Sequence, residues 1–138
     1  MDKTIIGENR GYRNLEIYRL AHELGIHIHD FSLKLPQYEL YETGSQLRRA
    51  SKSVSANIVE GYGRRKYKAE FIRFIVYSIA SCDEATEWLT YVKDCHPNLT
   101  NDAVKLLDNI DKLGKKINKF LQSLTSNQQP VTSSDQHD

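Results

Sequence analysis

The sequence predicts an all-α protein, an antiparallel up-down-up-down four-helix bundle. Three observations predict it. Prolines occur only at Pro36, Pro97 and Pro130, and because proline breaks helices from inside, the long stretches between them are free to be helical. Within those stretches apolar residues recur every three or four positions, the spacing of one helix face. Strand signals are absent: there is no Asn-Gly or Asp-Gly turn and no alternating run of β-branched residues.

The first helix is expected from about Tyr12 to Leu33, on Leu15, Tyr18, Ala21, Leu24 or Gly25, Ile28 and Phe31. The second runs from about Tyr38 to Tyr62 on Leu47, Ala50, Val54, Asn57, Ile58 and Gly61, and the third from about Tyr67 to Asp94 on Phe71, Phe74, Ile75, Ser78, Cys82, Ala85, Leu89 and Val92. Thr100 or Asn101 can cap the fourth, where Ala103, Leu106, Ile110, Leu113, Ile117, Phe120 and Leu124 keep a strict three-four alternation, the seam of a bundle. Short connections make consecutive helices antiparallel neighbours. The bundle therefore spans residues 12–124, preceded by a flexible segment, 1–11, and followed by a disordered polar tail, 125–138, rich in Ser, Thr, Asn, Gln and Asp.

The chain has 138 residues, enough for one core; 39% are hydrophobic and 27% charged. No apolar run approaches the roughly 20 residues that span a bilayer, and residues 1–10 hold no apolar signal core, so the expected location is cytoplasmic, away from membranes. Cys82 and Cys95, on one helix about 20 Å apart, are expected as free thiols.

Catalytic and metal signatures are lacking. His22, His27 and His29 crowd the first helix, but His27 and His29 point about 200° apart and His22 and His29 lie two turns apart at roughly 10 Å, so they do not converge on a metal. Asp83, Glu84 and Glu87 lack the Glu-x-x-His companion of di-iron bundles and read as a solvated face. With no nucleophile motif, phosphate-binding glycine loop or zinc signature, the expectation is a non-enzyme without cofactor or metal.

Charge is informative in its distribution. Lys plus Arg total 19 and Asp plus Glu 18, a net +1. Between positions 48 and 73, however, eight basic residues (Arg48, Arg49, Lys52, Arg64, Arg65, Lys66, Lys68, Arg73) face two acidic ones, Glu60 and Glu70. Arg64, Arg65, Lys66 and Lys68 stand around the start of the third helix, where the macrodipole disfavours each cation by ~0.3–1 kcal/mol. Either they cap the end of the second helix or they meet an anionic partner, such as a phosphate backbone or an acidic face of another subunit. A second basic stripe, Lys112, Lys115, Lys116 and Lys119, lies in the C-terminal half of its helix, where the dipole favours it.

The second helix carries two neighbouring stripes of mostly small residues, one of Arg49, Ser53, Ala56 and Glu60 and one of Ala50, Val54, Asn57 and Gly61, which permit close approach of another helix. Asn57 and Glu60 are expected to be structural, Glu60 through an i to i+4 pair with Arg64, and Asn57 to need a specific hydrogen-bond partner. Gly61 and Gly63 read as helix-ending glycines. The small-residue stripes, with apolar positions in excess of one core, predict a homo-oligomer.

The run Gln46 to Arg49, then Ser53, Asn57-Ile58-Val59-Glu60-Gly61-Tyr62-Gly63-Arg64, Glu70-Phe71-Ile72-Arg73-Phe74 and Ser81 to Glu84 resembles the four helix bundle protein family, also called the 23S ribosomal RNA intervening-sequence protein family. Tyr12 to Tyr18 and Pro36-x-x-Glu39 fit as well, so the likeness covers about Tyr12 to Leu124. Two positions depart from the commonest family form. Ala80-Ser81 stands for a Gly-Ser pair, and a basic run ending in Lys66 replaces a Ser after the Gly-Arg turn. The family is similar to the accessory variability protein of diversity-generating retroelements. That resemblance implies a cyclic homopentamer, a role with RNA or DNA, and docking on a reverse transcriptase or other nucleic-acid-processing protein. The competing expectation is a structural protein-protein interaction module whose basic corner pairs with Asp83, Glu84 and Glu87 of a neighbouring subunit.

Overall fold

The computed structural model describes residues 11–128. Its helices are α1, Glu16–Ser32; α2, a single turn at Gln37–Leu40; α3, Thr43–Gly63; α4, Lys68–Cys95; and α5, Thr100–Gln128. The four long helices form the bundle, and no strand occurs among the described residues.

The antiparallel order is visible in its cross-helix contacts. Ser78 Oγ donates to the Val54 carbonyl at 2.8 Å and Ser81 Oγ to Ser53 Oγ at 2.9 Å, so α4 retraces α3. Lys34 meets Asp102 at one end of the α1–α5 seam and Lys116 meets Glu16 at the other. The α3–α4 contact is the most extensive in the bundle and the α1–α5 contact the least.

The core follows the expected periodicity with small displacements. Leu47, Ala50, Val54, Ile58 and Gly61 are buried on α3, as are Ala103, Leu106, Ile110, Leu113 and Ile117 on α5. On α1 the buried series starts at Ile17, and Leu15 and Tyr18 only pack against it. Phe74, expected in the core, is half-buried, which leaves part of its ring at the surface.

Several boundaries differ from expectation for identifiable reasons. Tyr12–Asn14 is a separate 3-10 turn, entered through Gly11 at φ 113°, a left-handed conformation suited to glycine. The second predicted helix is interrupted at Tyr41–Glu42, which separates α2 from α3. The break leaves the Leu40 carbonyl outside the helical ladder, and the Arg48 guanidinium donates to it at 2.9 Å. Thr100 opens α5, yet its hydroxyl donates backward to the Lys93 carbonyl at 2.8 Å, tying the corner to α4. Finally, α5 continues to Gln128, so the polar tail does not begin at Thr125; residues 1–10 and 129–138, where the flexible segment and the tail were expected, lie outside the described residues.

Candidate nucleic-acid interface

The turn between α3 and α4 gathers cations and rings. α3 ends at Gly63, and Arg64 at its C-cap has φ −107°, ψ 16°. Arg65 Nη1 donates to the Tyr62 carbonyl at 2.9 Å, and Arg64 Nη1 reaches the Glu60 carbonyl at 3.4 Å and the Glu60 carboxylate. Two of the disfavoured cations thus satisfy the negative end of the preceding helix, the first of the two explanations offered by the sequence. Arg64 also lies 3.8 Å from Glu70, whose carboxylate accepts from Arg73 at 2.9 Å.

Each of these arginines also rests on a ring. The guanidinium carbon of Arg65 lies 4.1 Å from the Tyr62 centroid and that of Arg64 4.7 Å from Phe74. Arg73 sits 5.6 Å from Phe74 and 5.9 Å from Tyr77. Lys66 is exposed and Lys68 half-buried, and neither has a hydrogen-bond or ion-pair partner among the described residues. A patch of this kind attracts anions: its arginines are held in place by local bonds, and its lysines are uncompensated.

A model of the 23S rRNA-intervening sequence protein family matches residues 13–119. The chain belongs to that family. No curated protein matches it.

In this 23S rRNA-intervening sequence protein the eight expected cations do not form one surface. Arg48 is turned into the bundle, where its guanidinium donates to Ser32 Oγ at 2.8 Å and to the Leu40 carbonyl, so it holds the α1–α2–α3 junction together. Arg49 and Lys52 are exposed on the first half of α3, about 18 Å along the helix from Arg64 for Lys52. Lys52 lines a groove of about 370 Å³ with His22, Ile26 and His29. Arg64, Arg65, Lys66, Lys68 and Arg73 alone make the corner.

The residues expected to be structural divide likewise. Glu60 pairs with Arg64 as the i to i+4 spacing implied. Asn57 takes no neighbour from another helix: its amide donates to the Ser53 carbonyl at 2.9 Å and to Ser53 Oγ at 3.0 Å, one turn back in α3. The link to α4 runs through Ser53 itself, which accepts from Ser81. Gly61 and Gly63 do not end the helix in a left-handed conformation; both lie within α3, and the only positive-φ glycine among the described residues is Gly11. A Cβ at Gly61 would fall 3.0 Å from the Phe74 Cβ and 3.2 Å from the Phe71 ring, so this glycine permits close approach of α4. A Cβ at Gly63 meets nothing within 4 Å. Of the Ala80-Ser81 pair that stands for Gly-Ser, Ala80 is exposed and Ser81 is buried.

Sequence reasoning missed Phe74 and Tyr77 as parts of the site. Their signal was present in the i, i+3 spacing that brings the two rings to 5.4 Å edge-to-face.

Among the described residues no group of three or more His, Cys, Asp or Glu side chains is arranged to hold a metal. His22 stacks on Tyr18 at 5.7 Å. Asp83, Glu84 and Glu87 are exposed, with Glu84 accepting from Trp88. Burial, with Asp83 adding to it, pushes the Cys82 thiol up to about 12, which keeps it protonated and unreactive. Among the described residues no helix is long and apolar enough to cross a membrane.

Proposed function

We propose that the protein is a non-enzymatic, oligomeric helical bundle that binds nucleic acid through the α3–α4 corner. The observation that carries the reading is the corner itself, with Lys66 and Lys68 unpaired beside three locally anchored arginines. Membership of a family named for ribosomal RNA insertions supports an RNA-related role. Long flexible cations grip phosphates and carry little sequence information, so binding is weakly sequence-dependent and strongly salt-dependent.

Assembly is part of the proposal. The outer face of α4 exposes Val76 (45%) and Ala80 and, beyond Glu84 and Glu87 on the same face, Tyr91 (51%), a mixed apolar and acidic surface that a second copy would cover. A cyclic homopentamer would repeat the corner around a ring and turn a nearly neutral chain into a positive rim. Light scattering should give a multiple of 15.9 kDa at micromolar concentration; a monomer mass refutes assembly.

The binding test uses two variants. Arg64→Ala/Arg65→Ala/Lys66→Ala should abolish binding at moderate salt and, at low salt where residual binding is still measurable, lower the slope of log affinity against log salt by about 2, at about 0.7 per phosphate on a single strand. Lys66→Ala/Lys68→Ala removes no intramolecular bond and should weaken binding with the melting transition unchanged. If both variants bind as the parent does, the corner is a protein-interaction surface. The exposed carboxylates Asp83 and Glu87 on α4 give that second reading its anionic counterpart.

A further inference from the structure

We infer that the α3–α4 corner is built for single-stranded RNA in preference to duplex. The inference rests on the reading that this corner binds nucleic acid, and adds the strand form and the sugar.

The argument comes from the rings. A surface that binds phosphate alone needs cations and no aromatic faces. Here the guanidinium carbons of Arg64, Arg65 and Arg73 each lie over a ring, and the Arg64 and Arg73 side chains remain 44% and 53% exposed, so part of each is open to the solvent side. Tyr77 is 43% exposed at one end of this array, and Tyr67, at the N-cap of α4, is 64% exposed. Ten residues place the two tyrosines about 15 Å apart along α4, with Arg73 between them and close to the Tyr77 face, whereas Lys68, nine residues from Tyr77, points to the opposite side of the helix. Exposed π surfaces alternate with fixed cations, the combination on which unpaired bases stack while their phosphates are neutralised. Bases inside a duplex are already stacked on one another and would leave the rings unused.

The sugar is indicated by the two carboxylates within the patch. Glu60 and Glu70 are ion-paired with Arg64 and Arg73, yet each acid side chain stays partly exposed, 55% and 40%, with acceptor capacity left over. A carboxylate can accept a hydrogen bond from a 2′-hydroxyl, a donor that DNA lacks. A strand bearing that hydroxyl gains this bond, and a deoxy strand does not.

The test is fluorescence anisotropy at low salt with a uridine oligonucleotide, a deoxythymidine oligonucleotide of equal length and an RNA duplex. The uridine strand should bind at least about tenfold tighter than the duplex, as expected for the loss of one stacked base. Tyr77→Ala and Tyr67→Ala should each weaken uridine binding by about tenfold without changing its salt slope, Tyr77→Phe should restore it, and Tyr41→Ala, an exposed tyrosine at the far end of the bundle, should have no effect. Duplex binding equal to single-strand binding, or silent tyrosine variants, overturns the inference while leaving phosphate binding intact. Equal affinity for the deoxy strand overturns the assignment to RNA. Failure of all three probes to bind removes the underlying reading, and this inference with it.

Discussion

The α3–α4 corner and the lysine stripe of α5 are both basic in sequence, and the structure makes them electrically different. On α5, Lys112 pairs with Asp108 at 3.0 Å and Lys115 with Asp111 at 3.2 Å, each one turn back, while Lys116 reaches Glu16 across the α1 seam at 3.4 Å. At the corner, Lys66 and Lys68 have no such partner among the described residues, and Glu60 and Glu70 are shared between two arginines, Arg64 and Arg73, which leaves Arg65, Lys66 and Lys68 as the uncancelled cations. Exposed pairs of this kind add little stability, yet they cancel the local field that would attract an anion. The glycines of the two regions differ in the same sense: Gly61 is enclosed by Phe71 and Phe74, whereas a Cβ on Gly114 of α5 meets nothing within 4 Å. A count of charges or glycines therefore says less than the company each one keeps.

The largest expected effect tests the charge half of this contrast. Lys112→Ala/Lys115→Ala/Lys116→Ala should leave nucleic-acid affinity and its salt slope close to the parent's, where the corner triple loses binding. Equal losses from both triples would show a diffuse electrostatic footprint and break the comparison.

Arg48 separates the corner's cations from a basic residue that serves the fold. Removing its guanidinium leaves the Leu40 carbonyl and Ser32 Oγ without their donor, so Arg48→Ala should cost about 2 to 3 kcal/mol in urea unfolding. A variant as stable as the parent would return Arg48 to the list of binding residues.

The glycines provide the packing half. Gly61→Ala should destabilise by about 1 to 3 kcal/mol, because the added methyl meets the Phe74 Cβ and the Phe71 ring in a closely packed contact. Gly114→Ala should stabilise by about 0.5 to 1 kcal/mol, since alanine relieves glycine's entropy cost inside a helix and nothing obstructs it. Thermal melts of the two variants should move in opposite directions.

The smallest effect is expected at Asn57. Its side chain bonds only to Ser53 in the preceding turn of its own helix, and alanine is the better helix former, so Asn57→Ala should cost less than about 1 kcal/mol. A larger loss would mean that Ser53 needs Asn57 in order to receive Ser81.

The four long helices, their order and most of their buried positions were legible in the sequence, because three-four periodicity is a local property and proline acts on its own neighbours. So was the Glu60–Arg64 pair, which needs one turn of one helix. The role of Arg48 was not, since its acceptors lie 16 and 8 residues away and one of them is freed only by the break after α2. Nor was the reason for Gly61, set by the Phe71 and Phe74 that α4 brings against it, or the division of eight cations into an internal brace, a groove edge and a corner. Helix formation is decided within a few residues along the chain. Whether a cation is neutralised, stacked or left free is decided by what lies across from it, and only the packed bundle places those neighbours.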